Sequence, residues 1–204
     1  GRVLYGYDLA DVGADDDGNP GPVPSEDPRF GAAEHGTHVA GIIAAVGGNE
    51  VGTTGVAWQA KIMPLKAFDS TGNGLTAGVI DCINYAIEMK SRGVNIVAVN
   101  ASYFGAVDAT FAAPNAQVSL TEQAAIQSVI DAGILFVAAA GQDTTATAAG
   151  TDNDLTPKYP ASYPLDGIVS VASTDPNNLL AANSNFGLES VDLGAPVLNE
   201  PAAA

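Results

Sequence analysis

The stretch His35-Gly36-Thr37-His38-Val39-Ala40-Gly41 organises the rest of the chain. Two histidines stand three residues apart, and an apolar run, Ile42-Ile43-Ala44-Ala45-Val46, follows them. The pattern predicts the first turns of a buried helix with the histidines at its N-terminal end. These are the only two histidines in the sequence, so a histidine acting as general base is one of them. The positive end of a helix dipole favours the neutral imidazole that a general base needs near neutral pH. Gly36 and Gly41 would let other backbone or a substrate come close. A pair of satisfied histidines on a core helix is the plainer reading of the same residues. Zinc fits poorly, because the pair lacks the glutamate of an HExxH helix and Cys82 is the only thiol.

Around this stretch the composition sets bounds. The chain has 204 residues, of which 47% are hydrophobic and 15% charged, so it can bury a substantial core and is not of the disordered class. Asp and Glu number 23 against 7 Lys and Arg, a formal net charge of −16. Such a surface repels phosphate, so no nucleic acid and no anionic membrane is expected as a partner. It suits cations such as calcium. No apolar run reaches the length of a transmembrane span. A single cysteine sets up no disulfide framework.

Upstream of the histidines, Arg2 to Leu9 reads as a strand, and Asp11 to Phe30 as an acidic, proline-rich loop. Asp15, Asp17, Asn19 and Glu26 fall at positions one, three, five and twelve of an EF-hand register. Pro20 stands where that loop needs glycine, and the flanking prolines forbid its helices, so an EF-hand is rejected. An irregular calcium loop with Asp11, Asp15, Asp17, Asn19 and Glu26 as ligands is the candidate metal site. A solvated acidic loop is its alternative. The glycine-rich turn from Asn49 to Thr53 is a second candidate ligand loop.

Downstream, strands alternate with helices. Lys61–Phe68 reads as a strand, and Thr76–Arg92 as a helix with apolar Val79, Ile80, Ile83 and Ile87 and Gly93 at its C-terminal cap. Cys82 is read as a small core residue of this helix. Val94–Asn100 reads as a buried strand. Ser119-Leu120-Thr121-Glu122 is a capping box that opens a helix through Ala132. Ile134–Ala140 and Gly167–Ala172 are further strands. The alternation predicts an α/β fold with a mainly parallel sheet, in one domain.

HGTHVAG resembles the catalytic-histidine motif of the subtilisin-like serine proteases, with His35 at the general base and His38 at a supporting position. Several later segments resemble family landmarks in the same order. They include Val56-Ala57-Trp58 leading into Lys61–Lys66, Val99–Tyr103, Ala139-Ala140-Gly141, Tyr159–Pro164, Ser184–Gly187 and Val191–Pro196. The resemblance implies a three-layer subtilisin-like fold, here incomplete, over residues 1–204. It also implies a secreted, extracellular serine endopeptidase lineage that acts on polypeptide and commonly binds calcium. It assigns Ala101, Ser102, Tyr103 and Phe104 to the edge that pairs with an extended peptide. Gln142 falls at the oxyanion-hole position, where the family carries Asn; one extra bond displaces the carboxamide by roughly 1.5 Å.

The departures are as informative. The family's catalytic Asp, in an Asp-Thr/Ser-Gly turn, has no counterpart before His35. Asp69-Ser70-Thr71-Gly72 follows the histidines and reads as an ordinary loop. The nucleophile motif Gly-Thr-Ser-Met-Ala does not occur. Phe104 stands where the family has a small glycine, which would crowd the specificity pocket, and Val197 replaces the glycine after Ala195-Pro196. The chain therefore reads as a truncated or degenerate copy of the domain and is expected to be inactive. The alternative is a natural pseudoprotease that binds calcium or an extended peptide. In the resembling fold an Asp-bearing strand lies between the strands matching Ile62–Phe68 and Asn95–Asn100. Its loss predicts that a second copy of the chain, by self-association, or another segment fills the gap, or that the two strands close together.

Overall fold

A computed structural model of the chain describes residues 7–8, 33–50, 52–68, 74–104, 119–142 and 149–197. The described elements run β1 (Tyr7–Asp8), α1 (Ala33–Ala44), β2 (Leu65–Lys66), α2 (Thr76–Ser91), β3 (Ala98–Ala101), α3 (Leu120–Asp131), β4 (Leu135–Ala139), β5 (Ile168–Thr174) and β6 (Leu193–Pro196). They fall into two compact units, residues 1–85 and 86–204, with the division inside α2.

In the first unit, β1 and β2 pair in parallel, Tyr7 opposite Leu65 and Asp8 opposite Lys66. Helix α1 forms over the histidine stretch, as expected. The last carbonyls of a helix have no partner within it. Here the returning chain supplies the donors: Val56 N–H donates to Ile42 O at 3.0 Å and Ala57 N–H to Ile43 O at 2.8 Å. Gly55 sits so close behind α1 that a Cβ would come within 2.6 Å of the Ala44 nitrogen, so only glycine fits. The expected burial of α1 is not found. Among its described residues only Ala44 is buried, and Ile42 is 45% exposed. Among the described residues, the returning chain at 55–57 lies against the end of α1. Among the described residues nothing lies within 4 Å of where a Cβ of Gly36 or Gly41 would stand.

Helix α2 carries its buried stripe as Val79, Cys82, Ile83 and Ala86, at the helical spacing the sequence shows. Gly93 takes φ +93° and ends it, as predicted. Cys82 is buried and in no disulfide.

The second unit holds a four-stranded parallel sheet in the order β3-β4-β5-β6. Helix α3 crosses from β3 to β4 and packs on β4. Its N-cap is Ser119, whose Oγ accepts from Glu122 N–H at 3.2 Å. Ile126 and Val129 from α3, with Ile134, Phe136, Ala138 and Ala140 from the β4 segment, are buried to 2% exposure or less. Each of the larger apolar side chains among them contributes about 1.5–3 kcal/mol. Lys90 Nζ donates to Ile96 O at 2.7 Å and Gly133 O at 3.3 Å, tying the entries of β3 and β4 together. Asp192 Oδ2 accepts from Ser170 N–H at 2.7 Å and joins β6 to β5.

Two sequence expectations need correction here. The segment 94–100, expected as a buried strand, contributes to an edge strand: β3 pairs with β4 alone among the described strands, and Val97 is 68% exposed. Strand β6 was not expected at all. Its sequence, Leu193-Gly194-Ala195-Pro196, holds no β-branched residue and includes two poor strand formers.

Candidate active site

His35 and His38 are the third and sixth residues of α1, and both are exposed. They belong to the first unit. The other expected site residues lie in the second unit, so the two parts are described separately.

Within the second unit the parallel pairing of β3 and β4 sets Ala101 opposite Ala138. Both strands then run out into the site at the same end of the sheet. Ala101 is buried, while Ser102, Tyr103 and Phe104 are half-buried. Ser102 Oγ accepts from Asn100 Nδ2 at 2.8 Å. Past β4 the chain turns at Gly141, whose φ is +96°. A Cβ there would stand 2.8 Å from Asn185 Nδ2 and 3.2 Å from Phe104 Cγ. The glycine is needed for both reasons. The same geometry brings Phe104 against the residue that precedes Gln142. Gln142 is exposed and forms an isolated antiparallel bridge with Ser184.

Two asparagines that the sequence did not single out for a role hold this strand end. Asn153 Nδ2 donates to Ala140 O at 2.8 Å, and Asn185 Nδ2 donates to the same oxygen at 3.2 Å. Asn185 also takes the Thr151 N–H on its Oδ1 at 2.9 Å and donates its own N–H to Gly141 O at 3.0 Å. Both are 1% exposed. Buried amides of this kind fix geometry because each lost bond is costly. Their only sequence signal is an asparagine inside a loop.

A third feature is a buried carboxylate. Glu122 of α3 is buried, and Tyr163 Oη donates to its Oε2 at 2.8 Å. Burial raises the Glu122 carboxyl above its ordinary value, and hydrogen bonding to the Tyr163 and Tyr103 side chains pulls partly the other way. The Tyr163 hydroxyl is raised far above its usual range by burial and by the adjacent carboxylate. As a capping-box residue Glu122 would turn back toward Ser119. Its carboxylate instead faces inward.

Two serines of the family-like segments, Ser184 and Ser162, are engaged in structural bonds. Ser184 Oγ accepts from Ser173 N–H at 2.8 Å and donates to Asn185 O at 3.0 Å. Ser162 Oγ accepts from Lys158 N–H at 3.1 Å. Of the calcium candidates, Asp11, Asp15, Asp17, Asn19 and Glu26 lie outside the described residues. Among the described residues no group of three or more His, Cys, Asp or Glu is placed to hold a metal ion.

A sequence model described as the Subtilase family matches residues 6–202. Subtilisin NAT of Bacillus subtilis subsp. natto is 33% identical over 175 residues, which are 85% of this chain and 40% of that protein. Thermitase of Thermoactinomyces vulgaris is 31% identical over 196 residues, 96% of this chain and 56% of that protein. A crystal structure of a cold adapted subtilisin-like serine proteinase superposes with a TM-score of 0.68 at 26% identity, covering 96% of this chain and 56% of that one. The chain thus spans 40% to 56% of the length of these relatives. Its open parallel α/β sheet is subtilisin-like. With the histidine stretch on α1 and the family match running through both units, the chain belongs to the subtilase family.

Proposed function

We propose that residues 1–204 are part of one serine endopeptidase domain, that they carry its general-base and peptide-pairing portions, and that alone they do not hydrolyse peptides. The observation that carries this reading is the pairing of a complete histidine motif with a sequence that lacks both partner motifs. In a Ser-His-Asp site the serine attacks, the histidine takes its proton, and the aspartate holds the imidazole in the right tautomer. His35 is assigned the middle role. Ala101, Ser102 and Tyr103 offer backbone donors and acceptors to an extended polypeptide, in the manner of an added strand. Gln142 would offer its carboxamide to the oxyanion. Phe104, seated against Gly141, narrows the space beside it.

A pseudoprotease that binds an extended peptide through the same edge is the second reading. The edge position of β3 favours it, because among the described strands β3 pairs with β4 alone. The same edge is where a second copy of the chain would add its strand. Calcium at the 11–26 loop would act on stability and on no chemical step. Secretion rests on the resemblance to subtilisins.

The test is titration of the 15N-labelled chain with the unstructured oxidised insulin B chain. The reading predicts amide shifts confined to 101–104 and to their neighbours on β3 and β4. Shifts scattered over the surface, or none, would count against the peptide edge.

A further inference from the structure

We propose that Asn185 is the positioning residue for Gln142, fixing the turn from which that carboxamide would meet an oxyanion. The proposal rests on the oxyanion assignment of Gln142 above and names what holds it.

Asn185 bonds to both sides of its own backbone. Its N–H donates to Gly141 O at 3.0 Å, and its Nδ2 donates to Ala140 O at 3.2 Å. One residue thus takes two successive carbonyls of the strand end. Its Oδ1 accepts from Thr151 N–H at 2.9 Å, and the next amide, Phe186 N–H, donates to Thr151 O at 3.1 Å. The segment 184–186 therefore lies between 140–142 and 151–153. It is bridged antiparallel to the first at Gln142 and Ser184, and parallel to the second at Asp152 and Phe186. Ser184 is fastened in turn. Its Oγ accepts from Ser173 N–H in β5 and donates to Asn185 O. The turn that carries Gln142 is thus built on β5 as well as on β4.

The Asn185 side chain also sets the conformation of that turn. Gly141 takes φ +96°, a region that residues with a side chain rarely adopt. Asn185 Nδ2 sits 2.8 Å from where a Cβ of Gly141 would stand. The carboxamide fills that place and leaves the glycine no room to swing toward it. Asn153 has a smaller part: its Nδ2 reaches Ala140 O alone, and its N–H is spent on Phe186 O. An oxyanion donor is effective when it is already held where charge develops. The Gln142 side chain is exposed and rotates freely about several bonds. Its backbone must therefore supply the rigidity, and Asn185 is what holds that backbone.

The test compares the 15N-labelled 204-residue chain with Asn185→Ala and with Lys90→Met. The second variant unties the entries of β3 and β4 and lowers stability without touching the turn. Two quantities are read. One is the order parameter of the Gly141 and Gln142 amides. The other is the ratio of affinities for acetyl-tetra-alanine ending in a carboxylate and the same peptide ending in an amide. Asn185→Ala should bring the order parameters from about 0.85 to below about 0.6, and Lys90→Met should leave them unchanged. The affinity ratio should fall about fivefold in Asn185→Ala, as in Gln142→Ala, and hold in Lys90→Met. Order parameters that stay rigid in Asn185→Ala, or fall equally in Lys90→Met, would overturn the proposal. So would a ratio that Gln142→Ala lowers and Asn185→Ala does not. If Asn185→Ala fails to fold, Asn185→Ser leaves a smaller void and carries the same expectations. A ratio that Gln142→Ala leaves unchanged sinks the oxyanion assignment, and the order parameters then decide the positioning by themselves.

Discussion

Asn153 Nδ2 and the carbonyl oxygen of Ala140 lie 2.8 Å apart, a hydrogen bond across thirteen residues that sets the end of β4 just before Gly141 and Gln142. Asn185 bonds the same oxygen. Removing either side chain takes away one buried donor, and Ala140 O keeps the other. Asn153→Ala and Asn185→Ala are each expected to destabilise by about 1–3 kcal/mol. Asn185→Ala should cost more, because Thr151 N–H then loses its partner too. Urea unfolding with the m-value held fixed checks the order.

Ser170 gives the opposite sign. It sits in β5 at 1% exposure, and its Oγ has no hydrogen-bond partner. A buried unpaired hydroxyl costs about 1–3 kcal/mol. Ser170→Ala removes it with little change of shape, while the backbone bond to Asp192 stays. The variant is expected to melt higher than the wild type. A lower melting temperature would show that the hydroxyl has a partner.

Much of the fold was legible in the sequence, and the pattern of misses is physical. Helices α2 and α3 follow local periodicity and caps, down to Gly93 and Ser119. Strand β4 is a run of apolar residues, and β5 is dominated by Ile168, Val169, Val171 and Ala172. Strand β6 was missed because its pairing with β5, not its residues, makes it a strand. The site is less legible than the fold. The histidine stretch announces itself locally. The bonds from Asn153, Asn185 and Glu122 join residues 13, 45 and 41 positions apart, and no local pattern encodes such a partner. Glu122 even carried a local reading, the capping box, that its side chain does not follow.

Stability against pH follows from the buried carboxyl. Glu122 is raised in the folded state, so the folded chain binds its proton more readily than the unfolded chain does. Its contribution is therefore greatest at and below the unfolded value near 4.5 and is lost as pH rises through the folded value. Asp154 and Asp175 are lowered by backbone and side-chain donors and have the opposite sign, losing their contribution as pH falls below 3.8. Asp154 is exposed and Asp175 is partly exposed, which keeps their effect small. Through Glu122, stability should thus rise as pH falls through its folded value toward 4.5. Part of that slope should vanish in Glu122→Gln, as read by melting temperatures of both proteins across the range.

Calcium is expected to act through the loop at Asp11, Asp15, Asp17, Asn19 and Glu26. Binding to the folded chain alone raises stability by mass action, about 2.7 kcal/mol at a hundred times the dissociation constant. Melting temperature should rise in millimolar calcium and return with chelator. Equal values in both would remove calcium from the account, and Asp15→Asn with Asp17→Asn should weaken any rise that is seen.

The central claim is that His35 here has no nucleophile to activate. The triad acts as a unit; in a subtilisin, losing the serine alone costs about 10⁶ in kcat. The direct measurement is intact-mass spectrometry of the 204-residue chain after exposure to a serine-directed fluorophosphonate. The account predicts an unmodified mass, with no hydrolysis of oxidised insulin B chain in the same sample. Stoichiometric labelling of one serine, abolished by His35→Ala, would contradict it.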